Sequence, residues 1–201
     1  MRPFSTVISL ALPLLEDRID TDILYPARFL LLMDRADLGK YFCHDRRIDS
    51  DGKPIEGNPI DDPRYADARI VLAGEDFGCG SSREQAVWAL AGYGIRCVIA
   101  PSFGEIFAAN CLRNGVLTIA LPRYEIDRIA VAHEPVTVDL AERIIAAGER
   151  IIPFSVPEAN RVRLLNGWDD IDLILEEEGA RITAFEDGQR TRQPWLYEAE
   201  Q

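Results

Sequence analysis

Short continuous apolar runs punctuate the middle of the chain. Ile70-Val71-Leu72-Ala73 and Cys97-Val98-Ile99-Ala100 are the pattern of strands buried on both faces, and Val116 to Ala120 supplies a third. Between them Ser82 to Leu90 and Phe103 to Arg113 carry helical patterning. The order β-α-β-α-β with short links predicts an α/β fold whose core, about residues 70–120, is a parallel or mostly parallel sheet covered by helices. Ser81 followed by Glu84, and Ser102 followed by Glu105, have the spacing of a capping box, so each serine is expected to open a helix. Asn114-Gly115 is the signal that ends the second one.

The flanks are less regular. Val7 to Leu14 reads as one buried strand, followed by the charged turn Glu16 to Asp22. Ile23 to Met33 is apolar but interrupted by Pro26 and Arg28. Residues 43–69 are rich in Asp, Gly, Pro and Arg, support no long helix, and read as a long loop of the kind that serves as a lid or partner contact. Val136 to Leu140 alternates as a strand. Arg150 to Phe154 is another, pairing across the Ala147-Gly148-Glu149 turn, and Pro157 to Leu165 reads as a helix. Ile171 to Leu175 fits a strand or a helix start, Glu176 to Phe185 fits a helical turn or two, and residues 189–201 read as an extended polar tail. No composition break marks a boundary, so residues 1–201 are expected to form a single domain.

Composition narrows the function classes. The chain has 201 residues, 47% of them hydrophobic, which suits an ordinary globular core. Lys+Arg 22 against Asp+Glu 34 gives a net charge of −12, which disfavours a nucleic-acid partner but not a local site for a small anion. The apolar run Ile8 to Leu15 is too short to span a bilayer, and its flanks do not resemble a signal peptide. The four cysteines, Cys43, Cys79, Cys97 and Cys111, form no C-x-x-C pair, and the two histidines, His44 and His133, are far apart. That spacing argues against a metal site in this chain and fits a reducing, cytoplasmic compartment.

One segment concentrates chemistry: Gly74-Glu75-Asp76-Phe77-Gly78-Cys79-Gly80-Ser81-Ser82-Arg83-Glu84, between a strand and a helix. An α/β sheet presents its ligands there. Glycines permit close backbone approach, a helix start favours negative charge, and Arg83 can grip a carboxylate through two parallel bonds. A purely structural cap and a carboxylate-binding or catalytic site both fit. Phosphate or nucleotide binding fits poorly, because neither G-x-x-x-x-G-K-[ST] nor G-x-G-x-x-G is present. Cys79 fits a site-lining residue, or a nucleophile if the fold brings His133 to it. A second segment, Asp20-Thr21-Asp22 with Pro26-Ala27-Arg28, is either a solvated turn or a set of polar groups beside the same cleft.

These blocks, with Phe29-Leu30, Ile99-Ala100-Pro101-Ser102-Phe103, Ile106-Phe107, Leu164-Leu165-Asn166-Gly167 and Asp169-Asp170-Ile171, resemble the small subunit of 3-isopropylmalate dehydratase, in the aconitase superfamily. The resemblance runs from about residue 5 to at least residue 185. It implies a swivelling β/β/α domain that closes over a large subunit carrying a [4Fe–4S] cluster, with no cofactor held by this chain. The implied enzyme is a hydro-lyase of leucine biosynthesis, isomerising (2S)-2-isopropylmalate to (2R,3S)-3-isopropylmalate through 2-isopropylmaleate, a small dicarboxylate chemistry. It implies Ser81 as catalytic base and Ser82 and Arg83 as substrate-binding, with Asp20, Thr21, Asp22 and Arg28 beside them. Leu31, Leu32, Met33 and Gln85 are candidates for side-chain selectivity. The family block usually continues with histidine and proline where Gln85 and Val87 stand here, and with tryptophan where Arg46 follows Asp45. A related 2-hydroxydiacid, of methylmalate or dimethylmalate type, therefore stays open as substrate. From other classes, a non-catalytic anion-binding or scaffold domain and a cysteine-dependent enzyme stay open too.

Overall fold

A computed structural model describes residues 1–32 and 35–197, so the candidate Met33 lies outside the described residues. The chain falls into two compact units, 1–167 and 168–201, which are described separately.

The first unit contains two four-stranded sheets. One is wholly parallel, in the order β2 (Ala11–Leu14), β3 (Ile70–Ala73), β4 (Cys97–Ala100), β5 (Leu117–Ala120). The other is antiparallel, in the order β1 (Thr6–Ser9), β6 (Val136–Asp139), β7 (Ile144–Ala147), β8 (Arg150–Pro153). The two-residue period of a strand then divides the core. Val71, Ala73, Val98 and Ala100 face one hydrophobic cluster, while Ile70, Leu72, Cys97 and Ile99 face the other. On the first face pack α1 (Thr21–Leu24), α3 (Glu84–Tyr93) and α4 (Glu105–Arg113). On the second pack the antiparallel sheet, α5 (Arg123–Ala132) and α6 (Glu158–Asn166). The result is the layered β/β/α arrangement, with the predicted β-α-β-α-β core at β3–β5.

The predicted strand Val7 to Leu14 is in fact two strands in different sheets. Ser9 makes the break: its Oγ donates to the Leu10 carbonyl at 2.8 Å and accepts from the Arg69 amide at 3.0 Å. Pro13 is tolerated in β2 because β2 is an edge strand. Two elements had no clear sequence signal, β7 and α5. The 43–69 excursion holds a single α-helical turn, α2 (His44–Arg47), and two short 3-10 turns.

The second unit is dominated by α7 (Asp170–Arg192), which replaces both the strand alternative at 171–175 and the extended conformation expected from residue 189. Its start is a complete capping box between Asp169 and Asp172. A 3-10 turn at Pro194–Leu196 follows, and the Tyr197 hydroxyl donates to Gln189 Oε1 at 2.6 Å. Among the described residues no helix is long and apolar enough to cross a membrane.

A close approach pins the segment before the excursion to the core. The 3-10 segment Arg35–Tyr41 crosses α3 where Gly39 meets Gly92, and a Cβ on Gly39 would sit 2.3 Å from the Gly92 carbonyl carbon. Backbone on backbone leaves no side chain to yield. Gly39→Ala is therefore expected to lower unfolding free energy by about 2 kcal/mol, an overpacking cost read from urea unfolding. An unchanged denaturation midpoint would contradict this packing.

Candidate functional site

Parallel pairing puts the C-terminal ends of β2, β3 and β4 on one edge, so the three segments that follow them gather there. Backbone bonds lock them together. The Gly78 amide donates to the Ile19 carbonyl at 2.7 Å, and the Phe77 amide to the Ser102 carbonyl at 3.1 Å. The Gly104 amide returns to the Phe77 carbonyl at 2.9 Å. Gly78 has φ +74°, and a Cβ there would enter the Phe107 ring at 2.2 Å, so only glycine fits.

Both predicted capping boxes are absent. Arg83 is the residue before α3 and Gly104 the residue before α4, and neither helix start has a side-chain cap. At the first, left-handed Gly80 (φ +93°) and a tight bond from the Arg83 amide to the Ser81 carbonyl at 2.8 Å delay the helix by two residues. Ser81 is thereby freed from capping and turned toward Thr21. At the second, the Ser102 hydroxyl is spent accepting from the Asp76 amide at 2.8 Å.

Thr21 joins the two candidate segments. Its amide donates to the Cys79 carbonyl at 3.0 Å and its hydroxyl to the Ser81 carbonyl at 3.0 Å. Its Oγ1 also lies 3.3 Å from Ser81 Oγ. With the Thr21 proton committed to the carbonyl, the Ser81 hydroxyl is left to donate to Thr21 Oγ1. Asp20 caps α1, its Oδ1 accepting from the amides of Asp22 at 2.9 Å and Ile23 at 2.8 Å. Asp22 Oδ1 accepts from the Ala27 amide at 2.9 Å and from Arg83 Nη1. The Arg83 bond holds the Asp22 carboxyl below its ordinary range. Thr21 is buried, whereas Ser81 and Ser82 are exposed, so the hydroxyls are presented on an open surface.

Arg28 belongs to a neighbouring group that sequence spacing did not reveal. Its Nη1 donates to Asp45 Oδ2 at 2.8 Å, Nη2 donates to Asp45 Oδ1, and Nη2 lies 3.1 Å from His44 Nδ1. The guanidinium also stacks on the Phe29 ring at 4.5 Å. Charge coupling runs from Asp45 to Asp22 and from Asp22 to Arg28, so the two pairs form one polar patch. The selectivity candidates differ in setting. Leu31 is 91% exposed and Leu32 is 39% exposed, while Gln85 is half-buried in the first turn of α3.

The thiols are mostly inert. Burial pushes Cys43 up to about 12 and raises Cys97 and Cys111 as well. Cys79 is half-buried, and His133 lies exposed at the end of α5, with no hydrogen bond between them among the described residues. No group of three or more His, Cys, Asp or Glu among the described residues is placed to hold a metal ion.

Comparison with known proteins bears on this geometry. Residues 1–124 match the family model of the aconitase C-terminal domain. The chain is 43% identical to the 3-isopropylmalate dehydratase small subunit of Paramagnetospirillum magneticum, covering 98% of this chain and 100% of that one. It is 45% identical to the small subunit of the same name from Rhodospirillum centenum, covering 97% and 98%. A crystal structure of 3-isopropylmalate dehydratase from Methanocaldococcus jannaschii superposes with a TM-score of 0.68 at 26% identity, covering 89% of this chain and 99% of that one.

The Arg28 pair has a pH signature. The Arg28 guanidinium holds the Asp45 carboxyl at about 2, below its ordinary 3.8. A depressed carboxyl stabilises the folded state fully above its unfolded value and loses that contribution as pH falls through about 2. Carbon-detected NMR titration should find Asp45 still ionised at pH 3, and Arg28→Ala should return it toward 3.8. An unmoved Asp45 in that variant would refute the pairing.

Proposed function

Since the chain belongs to the aconitase C-terminal domain family and, within it, to the 3-isopropylmalate dehydratase small subunits, we propose that it closes over a large subunit to isomerise (2S)-2-isopropylmalate to (2R,3S)-3-isopropylmalate through 2-isopropylmaleate, in leucine biosynthesis. The observation that carries this reading is that the open loop bearing Ser81 and Arg83 is held against the start of α1, Ser81 Oγ by Thr21 Oγ1 and Arg83 by Asp22. Exposed hydroxyls beside a guanidinium form half of a site, and a second surface must complete it and exclude water.

The described residues offer no ligand set for an iron–sulfur cluster, so the [4Fe–4S] cluster that the resemblance implies is assigned to the partner. There it would supply Lewis acidity toward the departing hydroxyl. This chain's residues do the rest. Ser81 Oγ, as an alkoxide, takes the proton from the carbon beside a substrate carboxylate, and the electron pair left behind becomes the new double bond. Rehydration then runs in the opposite sense across the double bond: hydroxide adds to the carbon that lost the proton, and Ser81 Oγ returns the proton to the carbon that lost hydroxide. A free serine hydroxyl is a poor base at neutral pH, so it needs stabilised negative charge. Two features support that here: the Arg83 charge two residues along the chain and the uncapped start of α3. Arg83 keeps Nη2 and Nε for a substrate carboxylate while Asp22 holds Nη1. Ser82 adds an exposed hydroxyl at the same mouth. Arg28 serves the second carboxylate, oriented by Asp45 and Phe29.

Leu31 and Leu32 favour an apolar substituent such as isopropyl, since each exposes aliphatic surface that burial would stabilise. One methylene discriminates by only about 1–3 kcal/mol, so a methylmalate-type substrate differs by modest ratios. The free thiols suit a reducing compartment, the cytoplasm.

The test is turnover by the two-subunit enzyme assembled anaerobically. Ser81→Ala is expected to lower kcat by about a thousandfold, the scale of a lost general base, with subunit association intact by gel filtration. Retained turnover would defeat the assignment. Arg83→Lys is expected to cost about tenfold or more in kcat/KM, because a point charge cannot reproduce a bidentate grip. Absence of turnover with any 2-hydroxydiacid, with the partner's cluster intact, would refute the enzyme-subunit reading itself.

A further inference from the structure

The parallel sheet has a second end. Arg69 immediately precedes β3 and Arg96 precedes β4, so both lie at the N-terminal edge, away from the Ser81 loop. The backbone laces them together, the amides of Arg96 and Cys97 donating to the Arg69 carbonyl at 2.8 Å and 3.1 Å. The chain's first residues bring Arg2 to the same place. Arg96 Nη2 donates to the carbonyls of Arg2 at 3.1 Å and Pro3 at 3.0 Å, and its guanidinium stacks over Phe4 at 5.6 Å. The three arginines line one recess of about 130 Å³, together with Ser5 and Thr6.

None of these three guanidiniums makes an ion pair among the described residues. Many other arginines rest on carboxylates, as Arg47 does on Asp61 and Arg123 on Asp17. In a chain with net charge −12, acids are not scarce, yet none pairs with any of the three guanidiniums that share this recess. The arrangement costs free energy as it stands: burial, and the charges of Arg2 and Arg69, hold Arg96 below the usual guanidinium range. Arginine does not escape by losing its proton. A bound anion would offset both penalties and use the free Nη1 and Nε of Arg96 and the forks of Arg2 and Arg69. The recess is small, which suits a compact oxyanion.

We propose that Arg2, Arg69 and Arg96 form a receptor for a small oxyanion of the phosphate or carboxylate class, at the end of the parallel sheet opposite Ser81. The site is separate from the dehydratase chemistry and does not depend on it.

Isothermal titration of the full chain tests this, with inorganic phosphate and with acetate in separate arms, at ionic strength fixed with chloride. Saturable binding of at least one anion is expected, and the tighter arm names the source. The double variant Arg2→Ala/Arg69→Ala removes two exposed side chains that make no hydrogen bond, so its circular dichroism and melting should stay native. It should weaken the anion by about tenfold or more, because charge-assisted bonds are lost. Arg83→Ala, at the other end of the sheet, should leave that binding unchanged. Three results would overturn the proposal: no saturable binding of either anion, undiminished binding in the double variant, or loss of binding in Arg83→Ala. Displacement of phosphate from the wild-type chain by the large subunit would also overturn it, reassigning the recess to a partner contact.

Discussion

A buried threonine couples two segments about sixty residues apart. Thr21 ties the turn after β2 to the loop after β3 through the Cys79 carbonyl, the Ser81 carbonyl and the Ser81 hydroxyl. One segment has only the single turn of α1 there and the other no regular structure, so their register rests on these bonds together with those from Gly78 to Ile19 and from Arg83 to Asp22. The bonds depend in turn on the parallel pairing of β2 with β3, which brings the two loops to one edge. They also depend on Gly78, whose missing Cβ lets the loop lie against Phe107. The proton transfer proposed for Ser81 would require it to be held within a fraction of an ångström, and backbone pairing supplies that precision while a single hydroxyl completes it.

The helix starts show why capping logic misread this edge. Ser81 and Ser102 have the spacing of capping residues, and in an isolated helix the hydroxyl would have no better partner. In the folded chain each has one, Thr21 for Ser81 and the Asp76 amide for Ser102. The tertiary partner wins because it also satisfies a loop that is otherwise under-bonded, and the helix simply begins later, at Glu84 or Glu105. Ser81 is thus spared as a chemical group by the same contact that removes it as a cap.

Much of the sheet was legible because its signals are local. Ile70–Ala73 and Cys97–Ala100 stand where their apolar runs predicted, since a strand buried on both faces admits little else. The split of Val7 to Leu14 was not legible, because apolar periodicity does not tell which of two sheets a strand joins; Ser9 decides that through the Arg69 amide, sixty residues away. The β6–β7–β8 meander was half visible, with β7 hidden behind the charged Glu142-Arg143 approach to it. Within the site, Ser81, Arg83 and Asp22 came from motif, but Asp45 and His44 did not. They lie 16 and 17 residues from Arg28 in a segment with no periodicity, and only the fold brings them to it.

The two guanidiniums assigned to substrate carboxylates are not bare. Asp22 holds one arm of Arg83, and Asp45 holds both arms of Arg28. This self-pairing has opposite effects at the two positions. Arg83 retains Nη2 and Nε, so under the proposed function a substrate carboxylate would add to the existing bond and find the guanidinium already oriented. Arg28 must either share its fork or exchange Asp45 for substrate, and an exchange of one carboxylate for another is nearly neutral in water. Excluding solvent strengthens the hold of Arg28 on whichever carboxylate it has, Asp45 included, so closure favours a shared fork over the release of Asp45 unpaired. Both pairs lie at the open surface now, with Arg28 and Asp45 each about half exposed. Closure against a second surface therefore does more than add ligands. It changes the strength of the charges already present, which is a physical reason for dividing this active site between two chains.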